Sequence, residues 1–322
     1  MRLKRCLLAM VLAMAWIVPA SATYPEKPIR LVIPFPPGGS TGYAAKVLAD
    51  ELQKVLGQPV TLDVKPGNFG INAIQELVGQ SDGYTLMVGS VITNSMTPVM
   101  HSQDIKFDYD KEIVPITRLA DFPSVVMVSP SAPADTVKDF LTSLKNGSGK
   151  LTLGTDFIGT FVDVDTIMLA KTAALKVSYH PNPNGATGVL EDLVAGKSNI
   201  AFLNVATATA NVGKFKPLAV TGGRRLPNFA SVPTMTEAGY PGIGTSNWQG
   251  LFASRQTPAA IVQLLHQAAL KAMNSPEAKT AFDKVNAAIT TSETPAKFAT
   301  EIKGEMTTWQ QLLPEVLALP PE

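Results

Sequence analysis

The sequence predicts an α/β protein of two lobes, and three observations support this fold class. The chain has 322 residues, which is more than one hydrophobic core usually supports. Short apolar runs alternate with amphipathic helical patterns, which is typical of parallel strands joined by right-handed crossovers. The alternation begins again near Val125, so we expect a second lobe with its own sheet.

The first set of elements begins at residue 29. Residues 29–33 are apolar apart from Arg30 and predict a buried strand. Apolar residues then repeat at helical spacing over 44–55, and Gly57 and Pro59 end this helix. The same patterns predict further strands over 60–64 and 84–88 and a helix over 71–78.

A second set of elements and a helical tail complete the chain. We predict strands over 125–128, 151–153, 200–202 and 218–220, and helices over 137–144 and 161–174. The tail is predicted to form helices over 259–273, 276–286 and 295–313. Each of these helices has a proline at or next to its first residue, which suits a first helical turn. We expect the tail to pack against the first lobe.

The first 22 residues have the pattern of a signal peptide. Basic residues precede an uncharged apolar run over 7–18, and residues 20–22 form a small-residue cleavage pattern. The run is shorter than the roughly 20 residues that a membrane span needs. We therefore expect cleavage after Ala22 and export of the mature protein across the inner membrane.

Composition argues against several classes of function. A formal net charge of +1 without a basic stripe is not typical of a nucleic-acid-binding protein. Cys6 is the only cysteine and leaves with the signal peptide, so the mature protein has no thiol chemistry. Three scattered histidines form no metal cluster, and Asp163 and Asp165, two apart on a predicted helix, are expected to face solvent. We predict no metal and no cofactor.

The loop over 34–41 is the first candidate binding element, because ligands of parallel α/β sheets bind at the carboxyl ends of strands. Gly38 and Gly39 let the backbone approach a ligand, and Ser40 or Thr41 can cap the helix that follows. Free N–H groups and the positive helix end favour an anion here. An ordinary strand-to-helix turn with a cap explains the same residues, and this loop alone does not separate the two interpretations.

A similar loop over 154–160 stands between a strand and a helix of the second predicted lobe. It contains Gly154 and Gly159 and the hydroxyl residues Thr155 and Thr160. Two such loops, one from each lobe, fit a ligand that is clamped in a cleft.

Residues 38–42 also fit the G-x-S-x-G pattern of a hydrolase with Ser40 as nucleophile. Such an enzyme needs a partner loop upstream, but fewer than twenty residues separate the cleavage site from Ser40. It also needs a histidine base on a late loop, whereas His266 lies inside a predicted helix. His101 and His180 lack acid partners at a recognisable spacing. A serine hydrolase is therefore the weakest of the alternatives.

A series of short blocks, in this order and spacing, resembles one protein family. The blocks are 24–30, 34–41, 56–60, 66–67, 82–86, 218–221, 232–239 and 248–253. On these blocks the chain resembles the periplasmic receptors of tripartite tricarboxylate transporters, also called the Bug family. The resemblance covers nearly the whole mature chain.

The resemblance implies a two-lobed periplasmic binding protein of type II, with two hinge crossings and no enzymatic activity. It implies one lobe over 23–121 plus 222–322, a second lobe over 122–221, and a monomer. Members bind a small carboxylate, such as a di- or tricarboxylic, amino or aromatic acid, and deliver it to an inner-membrane permease. A periplasmic sensor that signals to a membrane kinase is the second alternative for the same ligand class.

The resemblance carries ligand contact over to three places: Gly38, Gly39, Ser40 and Thr41 in the first loop, Gly154, Thr155, Gly159 and Thr160 in the second, and Thr207. With neighbouring loop residues and departures from the family pattern added, the predicted ligand-binding residues are Pro37, Gly38, Gly39, Ser40, Thr41, Asn68, Phe69, Thr155, Asp156, Phe157, Gly159, Thr160 and Thr207.

The departures from the family pattern fall on these cleft loops. Gly42 stands where an aspartate is usual, and Asp156, Phe157 and Phe161 stand where small or polar residues are usual. We hypothesise a ligand with one carboxylate and either an aromatic body or a group that pairs with Asp156. The alternative is that the phenylalanines, Phe69 among them, belong to the core and that Asp156 is solvated or caps the following helix.

Overall fold

The computed structural model describes residues 24–35, 39–155, 160–182 and 184–316. The strands are β1 Ile29–Ile33, β2 Val60–Val64, β3 Thr85–Ser90, β4 Ile113–Phe122, β5 Ser124–Val128, β6 Lys150–Thr155, β7 Lys176–Pro181, β8 Ile200–Asn204, β9 Lys216–Val220, β10 Asn247–Ser254 and β11 Ala288–Ile289. The α-helices are α1 Ser40–Leu56, α2 Ile71–Gln75, α3 Thr97–Met100, α4 Tyr109–Glu112, α5 Val137–Asn146, α6 Phe161–Thr172, α7 Gly185–Val194, α8 Val205–Ala210, α9 Ala259–Met273, α10 Pro276–Lys284 and α11 Pro295–Val316.

The strands form two separate sheets. The first sheet has the order β11-β4-β10-β3-β1-β2, and the second has the order β7-β6-β8-β5-β9. Strand β1 pairs in parallel with both β2 and β3, as the sequence predicted. Strand β10, by contrast, is antiparallel to both β3 and β4, and β5 is antiparallel to β8 and β9. Both sheets are therefore mixed, and the predicted two-lobed α/β fold class is confirmed.

The chain passes between the sheets twice. The first passage is short, because only Pro123 separates β4 in the first sheet from β5 in the second. The return passage lies between β9 and β10. Buried residues of the segment 226–243 pack with the core of the second sheet. The lobe boundaries stay a prediction, and this packing favours a second crossing closer to Asn247 than to residue 222.

Each sheet has its own apolar core, built from alternating strand residues and the inner faces of helices. In the first lobe, α1 and α9 pack against each other beneath β1 and β4. The apolar spacing of 44–55 produces this face, since Ala44, Leu48 and Leu52 are fully buried. The expectation that the tail packs on the first lobe is correct for α9. The N-terminus of α1 lies at the edge of the sheet.

A further apolar cluster joins the two lobes. Phe161 and Val164 of α6 pack in the same cluster as Phe298, Ile302 and Trp309 of α11. The indole nitrogen of Trp309 also donates a hydrogen bond to the side chain of Ser95, at 2.7 Å. The last helix therefore contacts both lobes, which the sequence did not predict.

Four of the strands, β4, β7, β10 and β11, were not predicted, and β10 matters most. Residues 247–254 are almost entirely buried between β3 and β4, although the run contains Asn247, Gln249 and Gly250. Polar residues and glycine weaken the apolar pattern of a buried strand. Asn247 faces the space between the lobes, and Gln249 is buried with a hydrogen bond from Thr41.

Candidate functional site

A cavity of about 500 Å³ lies between the two sheets, near the carboxyl ends of β1, β3 and β8. Among the described residues it is lined by Phe35, Gly39, Ser40, Thr41, Tyr43, Phe69, Ser90, Ile92, Phe122, Pro123, Ser124, Asn204, Val205, Asn247 and Val285. A second cavity of about 180 Å³ shares Ile92, Ser124 and Asn204 with it and reaches toward β6 and α6. We call the two cavities together the cleft, and its size suits a small molecule.

The first helix presents its N-terminus to the cleft without a cap. Gly39 precedes the helix in an extended conformation, with φ −90° and ψ 178°, and no side chain caps the first turn. The first turn also contains no acidic residue. Since the first N–H groups of a helix have no partner within the helix, they and the helix dipole favour an anion at this place.

A buried polar network supports this helix end from β10. The Thr41 hydroxyl donates to Oε1 of Gln249 at 2.7 Å, and Thr41 is only 3% exposed. The Gln249 amide nitrogen in turn donates to Oδ1 of Asn247 at 3.1 Å and to the Ser40 hydroxyl at 3.4 Å. Asn247 donates to the same Ser40 hydroxyl at 3.3 Å. Thr41 and Gln249 therefore hold Ser40 and Asn247 at the wall of the cleft.

The N-terminus of α6, on the other side of the cleft, is capped within the protein. Thr160 accepts a hydrogen bond from the N–H of Val162, and the Asp163 carboxylate accepts from the N–H of Thr160 at 2.7 Å. This reciprocal arrangement is a capping box, and it brings a carboxylate to the positive helix end. The two helix N-termini of the cleft thus differ in charge, since only α6 carries its own acid.

The expectation that Asp163 and Asp165 face solvent is wrong, because both are fully buried. Residues two apart on a helix do face apart, but α6 is covered on nearly all sides by its own lobe and by α11. Asp165 accepts hydrogen bonds from the N–H and the hydroxyl of Thr245, at 2.7 and 2.9 Å. Burial raises the pKa of Asp165 to about 6 despite these donors.

The predicted ligand-binding residues fall into three groups. Gly39, Ser40, Thr41 and Phe69 line the larger cavity, and Thr155 and Thr160 line the smaller one. Pro37, Gly38, Asp156, Phe157 and Gly159 lie outside the described residues. Asn68 and Thr207 form the third group and do not line the cleft as described.

The third group has other neighbours. The side chain of Asn68 is exposed and donates to Asn72 at 3.2 Å. Thr207 lines a separate surface cavity of about 540 Å³ together with Val194 and Phe215. Helix α8 presents it there, whereas Asn204 at the end of β8 reaches the cleft. Ligand contact by any of the thirteen predicted residues stays a prediction.

Several residues of the cleft were missed from the sequence. The polar ones are Ser90, Ser124, Asn204 and Asn247, and the aromatic ones are Phe35, Tyr43 and Phe122. Ser90 and Asn204 are the last residues of β3 and β8, so the rule that ligands bind at carboxyl strand ends would have found them. Asn247, on an antiparallel strand, offered no such signal.

The histidines do not form a catalytic arrangement in the cleft. None of them lines either cavity as described. His266 is buried, with Nε2 3.0 Å from the carbonyl oxygen of Ser292. The expectation that the other two lack acid partners at a recognisable spacing is wrong for His101, which is 3.5 Å from Asp104, three residues along the chain. His180 is 3.2 Å from Asp192, which lies on another element and gives no such spacing.

The part of the chain that the structure describes contains neither a metal-binding cluster nor a membrane-spanning helix. Within 24–35, 39–155, 160–182 and 184–316, no three His, Cys, Asp or Glu side chains lie close enough to hold a metal ion. Over the same residues, no helix combines the length and the apolar character that a bilayer span requires.

Comparison with known proteins identifies the family. The family model described as the tripartite tricarboxylate transporter family receptor, TctC, matches residues 44–315. Protein BugT of Bordetella pertussis is 29% identical over 268 residues, covering 82% of this chain and 82% of BugT.

Solved structures agree in fold with this chain. A TctC solute-binding protein from Polaromonas, determined without ligand, is 26% identical with a TM-score of 0.77, covering 91% of this chain and 100% of that protein. MatC from Rhodopseudomonas palustris, with bound malate, is 25% identical with a TM-score of 0.72, covering 90% and 100%. Because the family model spans most of the chain and the two-lobed fold agrees, this protein belongs to the tripartite tricarboxylate transporter receptor family.

Proposed function

We propose that this protein is a periplasmic receptor that captures a small carboxylate in the cleft, with the carboxylate at the N-terminus of α1. The observation that carries this proposal is the uncapped helix end beside Ser40 and Asn247, open to a cavity between the lobes. Each hydrogen bond to a charged group is worth roughly 1.5–3 kcal/mol. Three or four such bonds supply much of a micromolar affinity, about 8 kcal/mol.

Neutral donors suit a receptor that must also release its ligand. No Lys, Arg, His, Asp or Glu is among the described residues that line the cleft. The carboxylate would be held by N–H groups, hydroxyls and the Asn247 amide, without an ion pair. MatC, a relative of the same fold, has bound malate, which supports a carboxylate ligand here.

Ligand capture would work through closure of the two lobes. A ligand that contacts Ser40 in the first lobe and Ser124 or Asn204 in the second stabilises the closed form over the open form. A membrane permease that recognises the closed surface would then receive the carboxylate. The proposal includes export with cleavage of the signal peptide after Ala22.

The enzyme alternative is not retained. The family and the structural neighbours of this chain are solute-binding proteins and not enzymes. Ser40 hydrogen-bonds to amide groups and not to a histidine base.

Thermal unfolding with a panel of mono-, di- and tricarboxylates tests the proposal. A ligand present at 100 times its Kd stabilises the folded protein by about 2.7 kcal/mol. The matching uncharged amides should give no such shift. If no carboxylate raises Tm, or if the amides act equally well, the proposed function is wrong.

Two variants that each add one negative charge, one in the cleft and one far from it, test the position of the carboxylate. Asn247→Asp places a negative charge beside the Ser40 hydroxyl with almost no change in shape. We expect calorimetric affinity for the best acid of the panel to fall more than tenfold, because like charges near 4 Å repel by about 4 kcal/mol at an effective dielectric constant of 20. Asn146→Asp, on an exposed residue of α5, is the matched control and should leave the affinity unchanged.

A further inference from the structure

Four aromatic rings line the larger cavity, beside polar and aliphatic residues. The rings are those of Phe35, Tyr43, Phe69 and Phe122. The organic body of a ligand whose carboxylate lies at α1 can therefore contact one or more of these rings. Aromatic faces favour a second ring stacked or edge-on beyond the simple burial of apolar area.

Phe69 is the ring with the most accessible surface. It is 40% exposed, which is unusual for a phenylalanine, and it borders the cavity. Its ring is stacked on the imidazole of His101, with 3.9 Å between the ring centroids and 19° between the planes. A ring stacked on one neighbour keeps its other face, so Phe69 can offer that face to a ligand.

The backbone holds Phe69 in this position against its conformational preference. Phe69 has φ 51° and ψ 28°, in the left-handed region that a phenylalanine rarely adopts. Its neighbours Gly67, Asn68 and Gly70 also have positive φ. The Thr97 hydroxyl donates to the Phe69 carbonyl at 2.8 Å and fixes the turn. Strain of this kind persists where the surrounding structure maintains it, often at a binding site.

Among the described residues, the far end of the cleft already holds a carboxylate of the protein itself. The N-terminus of α6 already accommodates the Asp163 carboxylate. The smaller cavity has four neutral polar residues, Ser124, Thr155, Thr160 and Asn204, and its other side chains are apolar: Ile92, Phe161, Val162, Val189, Phe202 and Leu203. A ligand carboxylate placed there would be repelled by the Asp163 carboxylate, whereas the first turn of α1 contains no acid.

From these contacts we propose that the cleft selects an aromatic monocarboxylate, with Phe69 as the stacking platform for its ring. This inference rests on the proposed function, because it assumes that a carboxylate binds at α1. It assigns Phe69 a role in specificity: the uncapped helix end accepts any acid, and the ring of Phe69 selects flat ones.

Pairs of acids with the same carbon framework test the inference by isothermal titration calorimetry. The pairs are benzoate with cyclohexanecarboxylate and phenylacetate with cyclohexylacetate, and adipate and malate represent aliphatic dicarboxylates. For the wild-type chain we expect the aromatic member of each pair to bind about two- to tenfold more tightly, the contribution of one aromatic contact beyond its area. Both dicarboxylates should bind more weakly than the aromatic acids.

Two variants then distinguish the effect of the aromatic ring of Phe69 from the effect of its size. Phe69→Leu should remove the preference for the aromatic member of each pair, whereas Phe69→Tyr, which keeps the ring, should retain it. Because Phe69 is partly exposed, Phe69→Leu should keep a cooperative unfolding transition, which is checked beside each titration.

Each result has one meaning. If adipate or malate binds more tightly than every aromatic acid, the inference is overturned and the proposed function stands. If no acid binds, both fail. If Phe69→Leu retains the aromatic preference, the role of Phe69 is overturned.

Discussion

The buried carboxylate of Asp165 makes the stability of this protein dependent on pH in a direction opposite to that of most acids. Asp165 lies on α6, and its partner Thr245 lies just before β10, where the chain returns to the first sheet. Asp165→Asn removes the charge and keeps the shape. The Thr245 N–H can still donate to the amide oxygen, and the Thr245 hydroxyl can accept from the amide nitrogen.

The magnitude follows from the raised pKa. Burial raises the pKa of Asp165 from 3.8 to about 6, so the folded protein binds a proton that the unfolded chain releases between about pH 4 and pH 6. The free energy of unfolding therefore falls as pH rises through this window, by about 3 kcal/mol in total from this group. Only well below pH 3.8 are both states protonated, and there the penalty is absent.

Urea unfolding of the wild type and Asp165→Asn at pH 4, 5, 6 and 7.5 measures the effect. The free energy of unfolding of the variant minus that of the wild type should rise by about 2.5 kcal/mol from pH 4 to pH 7.5, because part of the total of about 3 kcal/mol is already present at pH 4. If the substitution also destabilises the protein by an amount that does not depend on pH, the change of this difference with pH stays the same. A flat difference for Asp165→Asn would refute the account of a desolvated carboxylate.

Two further predictions concern buried hydrogen bonds. Thr41→Val should lower the free energy of unfolding by about 1–3 kcal/mol in urea titrations, because the buried Oε1 of Gln249 loses its donor. Thr41→Ser should cost clearly less, and equal losses in both variants would contradict this reading. Trp309→Phe should lower the free energy of unfolding by about 1 kcal/mol through loss of the bond to Ser95. In a double-mutant cycle with Ser95→Ala the two losses should not add, and full additivity would show that the bond is without effect.

Local patterns predicted the regular elements well where burial follows one period. Strands β1 and β2 and helix α9 have the bounds that the sequence predicts, since an apolar stripe of period 2 or 3.6 is a property of neighbouring residues. Strand β10 was not predicted, because its polar residues are buried and form hydrogen bonds with residues far away in the sequence. Gln249, for example, meets Thr41, which is 208 residues away.

The candidate site shows the same division. Gly39, Ser40 and Thr41 were predicted from the strand-to-helix loop, and they do line the cavity. That Thr41 is buried against β10 while Ser40 lies at the cavity wall could not be predicted, because the burial of Thr41 depends on β10. Asn247 offers no local pattern of a binding residue, yet it forms the cleft wall beside Ser40.

The amino-acid sequence by itself determined the two-lobed α/β class, the order of most strands and helices, and the glycine- and hydroxyl-rich loop that opens α1. These features depend on residues close together in the chain. Only the tertiary structure decided that Asp163 caps α6, that Asp165 is buried against Thr245, and that Phe69 stands exposed at the cavity. The reason is physical: whether a polar or aromatic side chain meets water, protein or an open cleft depends on distant segments, which no local period reveals.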